Sequence, residues 1–321
     1  MCKITVFTAT YNRKHLLEKL YESLKKQTNK DFEWLIIDDE SSDQTDELVN
    51  LWIKKENNFS IRYMKQNHGG KHRALNKGFF EAKGEYFFIV DSDDYLTDNA
   101  IEIVCKWIET IEKSDEKLAG IAGLKAYQNG VVSGGTPKIN KDGYIDTDCF
   151  SREKYNLTGE KAEVFKVEVL KQYLFPEFEG EFFVTEDVCW NSIYGDGYKL
   201  RWFNEVIYIF EYLDDGLTKT GLNEINGHVK NYNGYCYYIK QSLELFGALN
   251  RPRLFKTFIE VAKQKNRSFS QMAEDLKISR IQLLNQFLLL PFGFAKSGIR
   301  ILKKDGIKAI IDRFKYLKLE Y

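Results

Sequence analysis

The sequence predicts an α/β fold built around one open sheet, followed by a helical C-terminal region. Two observations support this prediction. Short apolar runs with the pattern of buried strands end in polar residues, and helical patterns follow the first two of them. From about Asn223 this alternation stops, and helical patterns rich in Tyr and Lys replace it. We therefore expect one domain over residues 1–222 and a helical region over residues 223–321.

Three apolar runs are the predicted strands: Ile4–Phe7, Glu33–Ile37 and Tyr86–Val90. The helical patterns are Leu16, Leu17, Leu20 and Leu24 after the first strand, and Leu48, Leu51 and Trp52 after the second. Strand, polar loop and helix in repetition are typical of a parallel sheet, whose loops meet at one edge. Single Asp and Asn residues in such loops are usually turn or cap residues. Three polar loops at one edge nevertheless favour a small-molecule site there.

Composition narrows the class of protein. The chain has 321 residues, a formal net charge of +0 and 43% hydrophobic residues, which is typical of a globular protein with no general attraction to nucleic acid. The five Cys residues are scattered and lack zinc-ligand spacing, so we expect reduced thiols and a cytoplasmic location. The first strand begins at once, leaving no room for a signal peptide, and no apolar run is long enough to span a membrane.

The segment Asp91-Ser92-Asp93-Asp94 follows the third predicted strand directly. Carboxylates at this spacing repel one another and raise each other's pKa, and a bound divalent cation relieves that repulsion. Hard oxygen ligands suit Mg²⁺ or Mn²⁺. The alternative is a helix start, with Thr97 or Asp98 as the cap and acidic residues favoured by the helix dipole. Capping accounts for one or two of these acids but not for three at a strand end.

Taken together, these blocks resemble the family 2 inverting glycosyltransferases. The residues that carry the resemblance are Thr8–Arg13, Gln27-Thr28, Ile37–Asp43, Asn67–Asn76, Gly84–Tyr86 and Asp91–Asp94. The resemblance extends over roughly the first two thirds of the chain, to Thr218. It implies the GT-A fold, a Rossmann-like mixed sheet with helices on both faces. It also implies transfer of a sugar from a nucleoside diphosphate donor to an acceptor hydroxyl, with Mg²⁺ or Mn²⁺.

The resemblance assigns the nucleoside to the first two loops. Asp39 stands where the family binds the donor's base, and a carboxylate that accepts from an imide N–H suits uracil or thymine. A UDP-sugar is the favoured donor. The neighbouring Asp38 is equally suited to fixing the turn. The residues expected along the nucleoside are Thr8, Ala9, Tyr11 and Asn12. For Tyr11, packing against the sheet is the alternative.

The segment Gly69–Asn76 is the predicted pyrophosphate or ribose loop. Two glycines precede a helix, so backbone N–H groups can approach a ligand closely. Lys71, His72 and Arg73 place cationic donors in the first turn, where the helix dipole disfavours them unless an anion binds. The alternative is a solvated basic turn.

The acidic segment is assigned by the same resemblance. Asp91, with Ser92 beside it, is expected at the ribose hydroxyls, and Asp93 is the predicted metal ligand with Asp91. Asp94 is either a second ligand or the group that orients Asp93.

An inverting transferase also needs a base for the acceptor hydroxyl. Thr185-Glu186-Asp187 resembles the family's acidic pair, in which the aspartate has that role. Asp187 is the predicted base and Glu186 the second candidate. The alternative is a helix start capped by Thr185.

Two departures from the family pattern follow. Tyr198 replaces the Gln that precedes Arg-Trp in processive members, and Arg201-Trp202 has a strand pattern, which favours single addition. Residues 211–218 lack the metal-binding His of many members. Either Asp214 or Asp215 substitutes for it, or the pyrophosphate and water complete the coordination.

The tail carries the apolar run Leu283–Phe294, followed by Lys296, Arg300, Lys303 and Lys304. Residues 283–304 are therefore predicted to contact the inner face of the cell membrane peripherally, where the acceptor would be a saccharide or a lipid-linked saccharide. The alternatives are a helical hairpin that closes the core and a homo-oligomer interface.

Two functions other than sugar transfer are alternatives. One is a sugar-nucleotide nucleotidyltransferase, which is disfavoured because Thr8–Arg13 has no glycine, and the other is an inactive nucleotide-sugar-binding scaffold.

Overall fold

The computed structural model describes residues 3–56, 58–210 and 225–296. The chain divides into two compact units, residues 1–220 and residues 221–321. The first is a mixed α/β unit and the second is helical, which confirms the predicted fold class. The predicted domain boundary, between residues 222 and 223, lies outside the described residues.

The strands of the first unit are β1 Ile4–Thr10, β2 Phe32–Asp38, β3 Ser60–Lys65, β4 Tyr86–Ile89, β5 Tyr95–Leu96, β6 Leu118–Tyr127, β7 Tyr144–Thr147, β8 Lys161–Lys166 and β9 Lys199–Phe210. Its helices are α1 Lys14–Lys26, α2 Thr45–Lys55, α3 Lys71–Glu81, α4 Ala100–Glu112, α5 Val167–Leu170 and α6 Asp187–Gly195. A 3₁₀ helix covers Cys149–Tyr155.

Within the described ranges, the strands form one sheet in the order β3-β2-β1-β4-β8-β6-β9-β5, and β7 pairs with β9. The first four strands of this order are parallel, while β8 is antiparallel to both of its neighbours. The parallel register pairs Thr10 of β1 with Asp38 of β2. The backbone N–H of Asp39 donates to the Thr10 carbonyl at 2.9 Å. The loops after β1, β2 and β4 therefore begin side by side.

The three predicted strands are confirmed, and their burial explains why they could be predicted. Every residue of β2 is buried, and Phe87 and Phe88 of β4 are fully buried. Burial of one such side chain stabilises the fold by about 1.5–3 kcal/mol relative to exposure. Trp34 of β2 also donates its indole N–H to the Thr8 hydroxyl at 3.0 Å.

The capping alternative for Asp91–Asp94 is wrong. The short strand β5 separates these acids from the next helix, and that helix begins only at Ala100. Neither Thr97 nor Asp98 occupies the cap position, which belongs to Asn99 without a side-chain bond. Instead the side chain of Gln27 accepts from the backbone N–H of Ile101 at 3.0 Å.

The second unit consists of helices around its own core. They are α7 Ile225–Lys230, α8 Tyr232–Leu245, α9 Gly247–Asn250, α10 Pro252–Gln264, α11 Phe269–Asp275 and α12 at residues 280–296. The core includes the fully buried Phe255, Phe258 and Leu283. In the described ranges no helix combines the length and the apolar character that crossing a bilayer requires.

Candidate active site

The candidate site lies at the carboxyl edge of β1, β2 and β4, where the sequence predicted it. Asp39 follows β2 directly, and its carboxylate accepts three hydrogen bonds. Oδ1 accepts from the Gly69 backbone N–H at 2.9 Å and from the Gln66 amide at 2.7 Å. Oδ2 accepts from the Gly70 backbone N–H at 2.8 Å and lies 2.9 Å from Nδ1 of His68. A carboxylate has about four lone-pair positions, so these three donors leave about one open, and the His68 ring lies against it. The same Nδ1 is 3.3 Å from the backbone carbonyl oxygen of Asp39.

Three aromatic rings stack beside Asp39. The His68 ring lies 4.3 Å from the Tyr11 ring and 4.9 Å from the Phe182 ring, with interplanar angles of 22° and 19°. Tyr11 is 45% exposed and does not pack into the sheet, so the packing alternative for this residue is wrong. An exposed aromatic face next to a buried carboxylate is a suitable platform for a planar ligand.

Three other residues of the first two loops have structural partners. Thr8 is fully buried, where its hydroxyl donates to the Val90 carbonyl at 2.9 Å, so its side chain is not presented to a nucleoside as expected. Asn12 adopts a left-handed conformation, and its side-chain oxygen accepts from the Ser42 N–H at 2.8 Å. Asp38 fixes its turn by accepting from the Ser41 N–H at 2.7 Å. Of the four predicted residues of the first loop, Thr8 is buried, Ala9 is half-buried, and Tyr11 and Asn12 are exposed.

The two glycines before α3 differ from the prediction as well. Their backbone N–H groups donate to Asp39 and are not free for a phosphate. Gly70 has a φ of +90°, and a Cβ at this position would lie 1.8 Å from the Phe182 carbonyl oxygen. Only glycine therefore fits where this loop meets the segment before α6.

Lys71 brings two distant acidic segments together. Its ammonium lies 2.5 Å from Oδ1 of Asp91 and 2.8 Å from Oε1 of Glu186. Burial alone would raise the pKa of Asp91, but Lys71, helped by Lys125 and Arg13, outweighs burial and lowers it. Burial would likewise lower the pKa of Lys71, but the two carboxylates raise it. The predicted donor loop and the predicted base segment thus share one ion-pair network.

Arg73 and His72 do not face the same way as Lys71, which corrects the prediction of a common anion site. Arg73 donates to the carbonyls of Gly69, Glu181 and Phe178 at 2.7, 2.7 and 2.6 Å. His72 is 2% exposed, and neither ring nitrogen has a hydrogen-bond partner among the described residues. Burial, with Arg73 second, lowers the pKa of His72 to about 4, so the ring is neutral at pH 7.

The acidic loop is neutralised by its neighbours. Asp93 accepts from the Arg13 guanidinium at 2.8 Å, while Ser92 is buried. Asp94 accepts from the Tyr208 hydroxyl at 2.7 Å, and that hydroxyl in turn accepts from the Asp91 backbone N–H at 3.0 Å. Burial, followed by the charge of Asp91, raises the pKa of Asp94 to about 7.

The donor set of this loop fits a divalent cation in kind, because Asp91 and Asp93 supply hard carboxylate oxygens at one strand end. Over the described residues, no three His, Cys, Asp or Glu side chains converge as a complete ligand set. Lys71 and Arg13 instead supply the positive charge. Asp91 and Asp93 therefore suit a cation only as partial ligands.

Asp187 is the first residue of α6, and it is exposed. The preceding residue, Glu186, is the N-cap of α6, and its side chain makes no capping hydrogen bond. Thr185 contributes its carbonyl, which accepts from the Val188 N–H at 3.2 Å. Glu186 points to Lys71, so the two candidate bases differ in their surroundings.

Four side chains at this edge were not predicted to have a role: Arg13, Gln66, His68 and Tyr208. Arg13 and His68 lie inside motif blocks, but their partners, Asp93 and Asp39, are distant in sequence. For Tyr208 the sequence offers one indication of a role, a hydroxyl within the apolar run that forms β9.

Arg201 and Trp202 belong to the same strand and are buried there, with Arg201 paired to Asp146 at 2.7 Å. The substitutes Asp214 and Asp215 lie outside the described residues.

Comparisons with known proteins bear on the family and the fold. Residues 5–146 match the model of glycosyl transferase family 2. A Campylobacter jejuni GalNAc(5)-diNAcBac-PP-undecaprenol beta-1,3-glucosyltransferase is 30% identical over 198 residues, 60% of each chain. A Bacillus spizizenii poly(ribitol-phosphate) beta-glucosyltransferase is 30% identical over 173 residues, 53% of this chain and 26% of that protein. The chain thus spans about three fifths and one quarter of these two relatives.

Solved structures share the fold. Residues 1–349 of S. aureus TarS in complex with UDP-GlcNAc align with a TM-score of 0.55 and 19% identity, over 93% of this chain and 91% of that one. A mannosyltransferase from Pyrobaculum calidifontis in complex with GDP-Man and Mn²⁺ aligns with a TM-score of 0.54 and 18% identity, over 94% and 88% of the two chains. The first unit is therefore a GT-A domain. By its sequence match, the chain carries a family 2 glycosyltransferase domain.

Proposed function

We propose that the protein is a metal-dependent inverting glycosyltransferase that uses a nucleoside diphosphate sugar, with UDP as the favoured carrier. The observation that carries this proposal is the Lys71 bridge between Asp91 and Glu186. It joins the loop expected to bind the donor to the segment expected to deprotonate the acceptor. A sugar transferase needs the donor site and the acceptor site side by side, because both substrates react at one carbon.

For the donor, we assign the base to Tyr11, Ala9 and Asp39, and the ribose to Asp91 and Ser92. Asn12 supports this pocket from the loop side, through its bond to Ser42. Lys71 is assigned to the diphosphate, because it is a cation at the N-terminus of α3 that can exchange a carboxylate partner for a phosphate. The neighbour that holds UDP-GlcNAc supports UDP, whereas the one that holds GDP-Man keeps guanine as an alternative.

Asp93, with Asp91, would hold Mn²⁺ or Mg²⁺. When bound, the cation neutralises charge on the leaving diphosphate. The protein's own residues orient the donor, and Asp187 accepts the proton of the acceptor hydroxyl as that oxygen attacks the anomeric carbon from the opposite face. Glu186, held by Lys71, is assigned to positioning this segment.

We further propose a saccharide or lipid-linked saccharide acceptor and a single addition, as in bacterial surface polysaccharide or glycolipid assembly. The names of the two relatives, one of which acts on an undecaprenol-linked glycan and one on poly(ribitol-phosphate), support this class. The family match also favours transfer over a nucleotidyltransferase, and turnover separates an enzyme from an inactive scaffold.

Peripheral membrane contact through residues 283–304 is part of the proposal. Helix α12 packs Leu283 into the core, while Ile281, Leu284, Leu288 and Phe292 on its other side are 73%, 48%, 60% and 67% exposed. Residues 276–304 contain Lys or Arg at six positions and no Asp or Glu: 277, 280, 296, 300, 303 and 304. An exposed apolar stripe with adjacent basic residues suits an anionic lipid surface.

The transfer assay uses purified full-length protein, Mn²⁺, a panel of UDP- and GDP-sugars, and saccharide or undecaprenol-linked acceptors, with the product identified by mass spectrometry. We expect transfer from one UDP-sugar and none after addition of a chelator. Nucleotide binding without transfer to any acceptor, together with absence of donor hydrolysis, would favour the scaffold alternative.

Membrane contact is tested by co-sedimentation with phosphatidylcholine vesicles that contain or lack phosphatidylglycerol. We expect binding to the anionic vesicles, loss of binding in Leu288→Gln/Phe292→Gln, and no loss in Phe80→Gln, which removes an exposed aromatic residue of the first unit. Self-association that the double variant abolishes, without vesicle binding, would assign the stripe to a homo-oligomer.

A further inference from the structure

The side chain of His68 has the contacts that the proposed function assigns to the donor's base. Its ring stacks on Tyr11 at 4.3 Å, and its Nδ1 lies 2.9 Å from Oδ2 of Asp39. The predicted base contacts are a stack on Tyr11 and an imide N–H donated to Asp39. One planar ring with a ring N–H therefore stands where another is expected.

The position of the His68 ring makes the two occupants mutually exclusive. The Asp39 carboxylate accepts hydrogen bonds from Gly69, Gly70 and Gln66, and Nδ1 of His68 lies 2.9 Å from its Oδ2. Three donors fill about three of the four lone-pair positions, so a base can reach the remaining one only if the His68 ring leaves. The two backbone amides are fixed by the turn before α3, and Gln66 makes no stack. His68 alone of the four also covers the exposed face of Tyr11.

We infer that His68 holds the place of the nucleobase in the free protein, and that donor binding displaces its imidazole from Tyr11 and Asp39. This inference rests on the proposed nucleotide-sugar site. It makes His68 a residue that determines affinity and base preference. A base with a ring N–H, such as uracil, replaces the contact that the His68 ring makes with the Asp39 carboxylate. Cytosine presents a ring acceptor instead, so it leaves Asp39 short of one donor.

The test compares His68→Ala with the matched variant His15→Ala, which removes an exposed histidine on α1. UDP and CDP are titrated calorimetrically into each full-length protein with Mn²⁺. Because the base no longer has to displace a ring that stacks on Tyr11 and contacts Asp39, His68→Ala should bind UDP about tenfold more tightly than wild type. CDP should gain less, and His15→Ala should match wild type.

A second measurement follows displacement directly. Long-range ¹H–¹⁵N spectra of the imidazoles should show the His68 ring protons moving away from ring-current-shifted positions when UDP is added, while the His15 signals stay in place.

Unchanged or weaker UDP binding by His68→Ala, with wild type still binding, would overturn the role of His68 and leave the proposed function standing. Absence of nucleotide binding in wild type and variant alike would overturn both. If His68→Ala binds UDP and wild type does not, the inference is supported, because the imidazole of His68 then blocks the base site of the free protein.

Discussion

The two halves of the candidate site satisfy their buried polar groups in different ways. On the nucleoside side, Asp39 accepts two backbone donors and one amide donor, and the His68 imidazole lies against its Oδ2. On the acidic side, Asp91 and Asp93 are balanced by ion pairs with Lys71 and Arg13. Hydrogen bonds therefore stabilise the nucleoside side, and ion pairs stabilise the acidic side. In both halves the free protein supplies groups that, by our proposal, ligand groups replace.

This difference determines how each half responds to change. The hydrogen bonds around Asp39 are lost one donor at a time, so a substitution there alters affinity by a limited factor. Removal of one charge from a network of ion pairs leaves its partner uncompensated, and the cost is larger. The predictions below separate these two behaviours, beginning with the largest effect.

Asp187→Asn should lower the rate of sugar transfer by about 10²- to 10⁴-fold, because a general base is lost from the acidic side. The dissociation constant for UDP should stay unchanged, since Asp187 is assigned no donor contact. Rate measurements and calorimetry on the same preparation check both values. Glu186→Gln is the matched variant and should lose less activity; turnover by Asp187→Asn comparable to wild type would remove Asp187 from the role.

His72 predicts a pH dependence of stability. The unfolded chain binds its proton near pH 6.5 and the folded protein only near pH 4, so the folded protein loses stability as the pH falls through this window. The full loss is about 3 kcal/mol. His72→Leu should remove this part of the acid destabilisation, as measured by urea unfolding between pH 7.5 and 4. Parallel curves for variant and wild type would contradict the assignment of a buried neutral ring.

Lys71→Met should destabilise the fold by about 2 kcal/mol at pH 7, because Asp91 and Glu186 lose their shared cation in a partly buried setting. Lys106→Met is the matched control: Lys106 pairs with Glu102 at 2.7 Å but is 68% exposed, and its loss should cost less than about 0.5 kcal/mol. Urea unfolding measures both values. Equal costs would show that the Lys71 bridge has no more weight than a surface pair.

Arg13→Gln should strengthen Mn²⁺ binding in the absence of nucleotide by about fivefold, since it removes a competing cation from Asp93 at a partly exposed site. Electron paramagnetic resonance of free Mn²⁺ gives the affinity without any assay of activity. Lys14→Gln, which removes a neighbouring cation bonded to Gln44, should leave it unchanged. Weaker Mn²⁺ binding by Arg13→Gln would contradict the ion-pair account of this half.

Much of the fold was predictable from sequence, because burial leaves a local pattern. Local sequence patterns alone predict the apolar runs of β1, β2 and β4 and the acids that follow β4. The error over Lys71, His72 and Arg73 has a simple cause. Consecutive helical residues point about 100° apart, so three in a row cannot face one ligand. Helix geometry alone should have ruled out that grouping.

The pairings at the site were beyond sequence reasoning for another reason. Arg13 with Asp93, and Lys71 with Glu186, join residues that are far apart along the chain. Their contact depends on strand order and on the path of the segment before α6, which no local pattern encodes. His68 and Asp39 are likewise 29 residues apart, and no local pattern pairs them.

The most direct test of the central claim is calorimetric titration of UDP into wild type, Tyr11→Ala and Phe80→Ala, with and without Mn²⁺. Both substitutions remove an exposed aromatic ring, but only Tyr11 borders Asp39 through the His68 stack. We predict metal-dependent binding to wild type and to Phe80→Ala, and binding about tenfold weaker to Tyr11→Ala, because a base stacks on that ring. Binding that ignores the loss of Tyr11, or no binding to wild type, would contradict a nucleotide-sugar site at this edge.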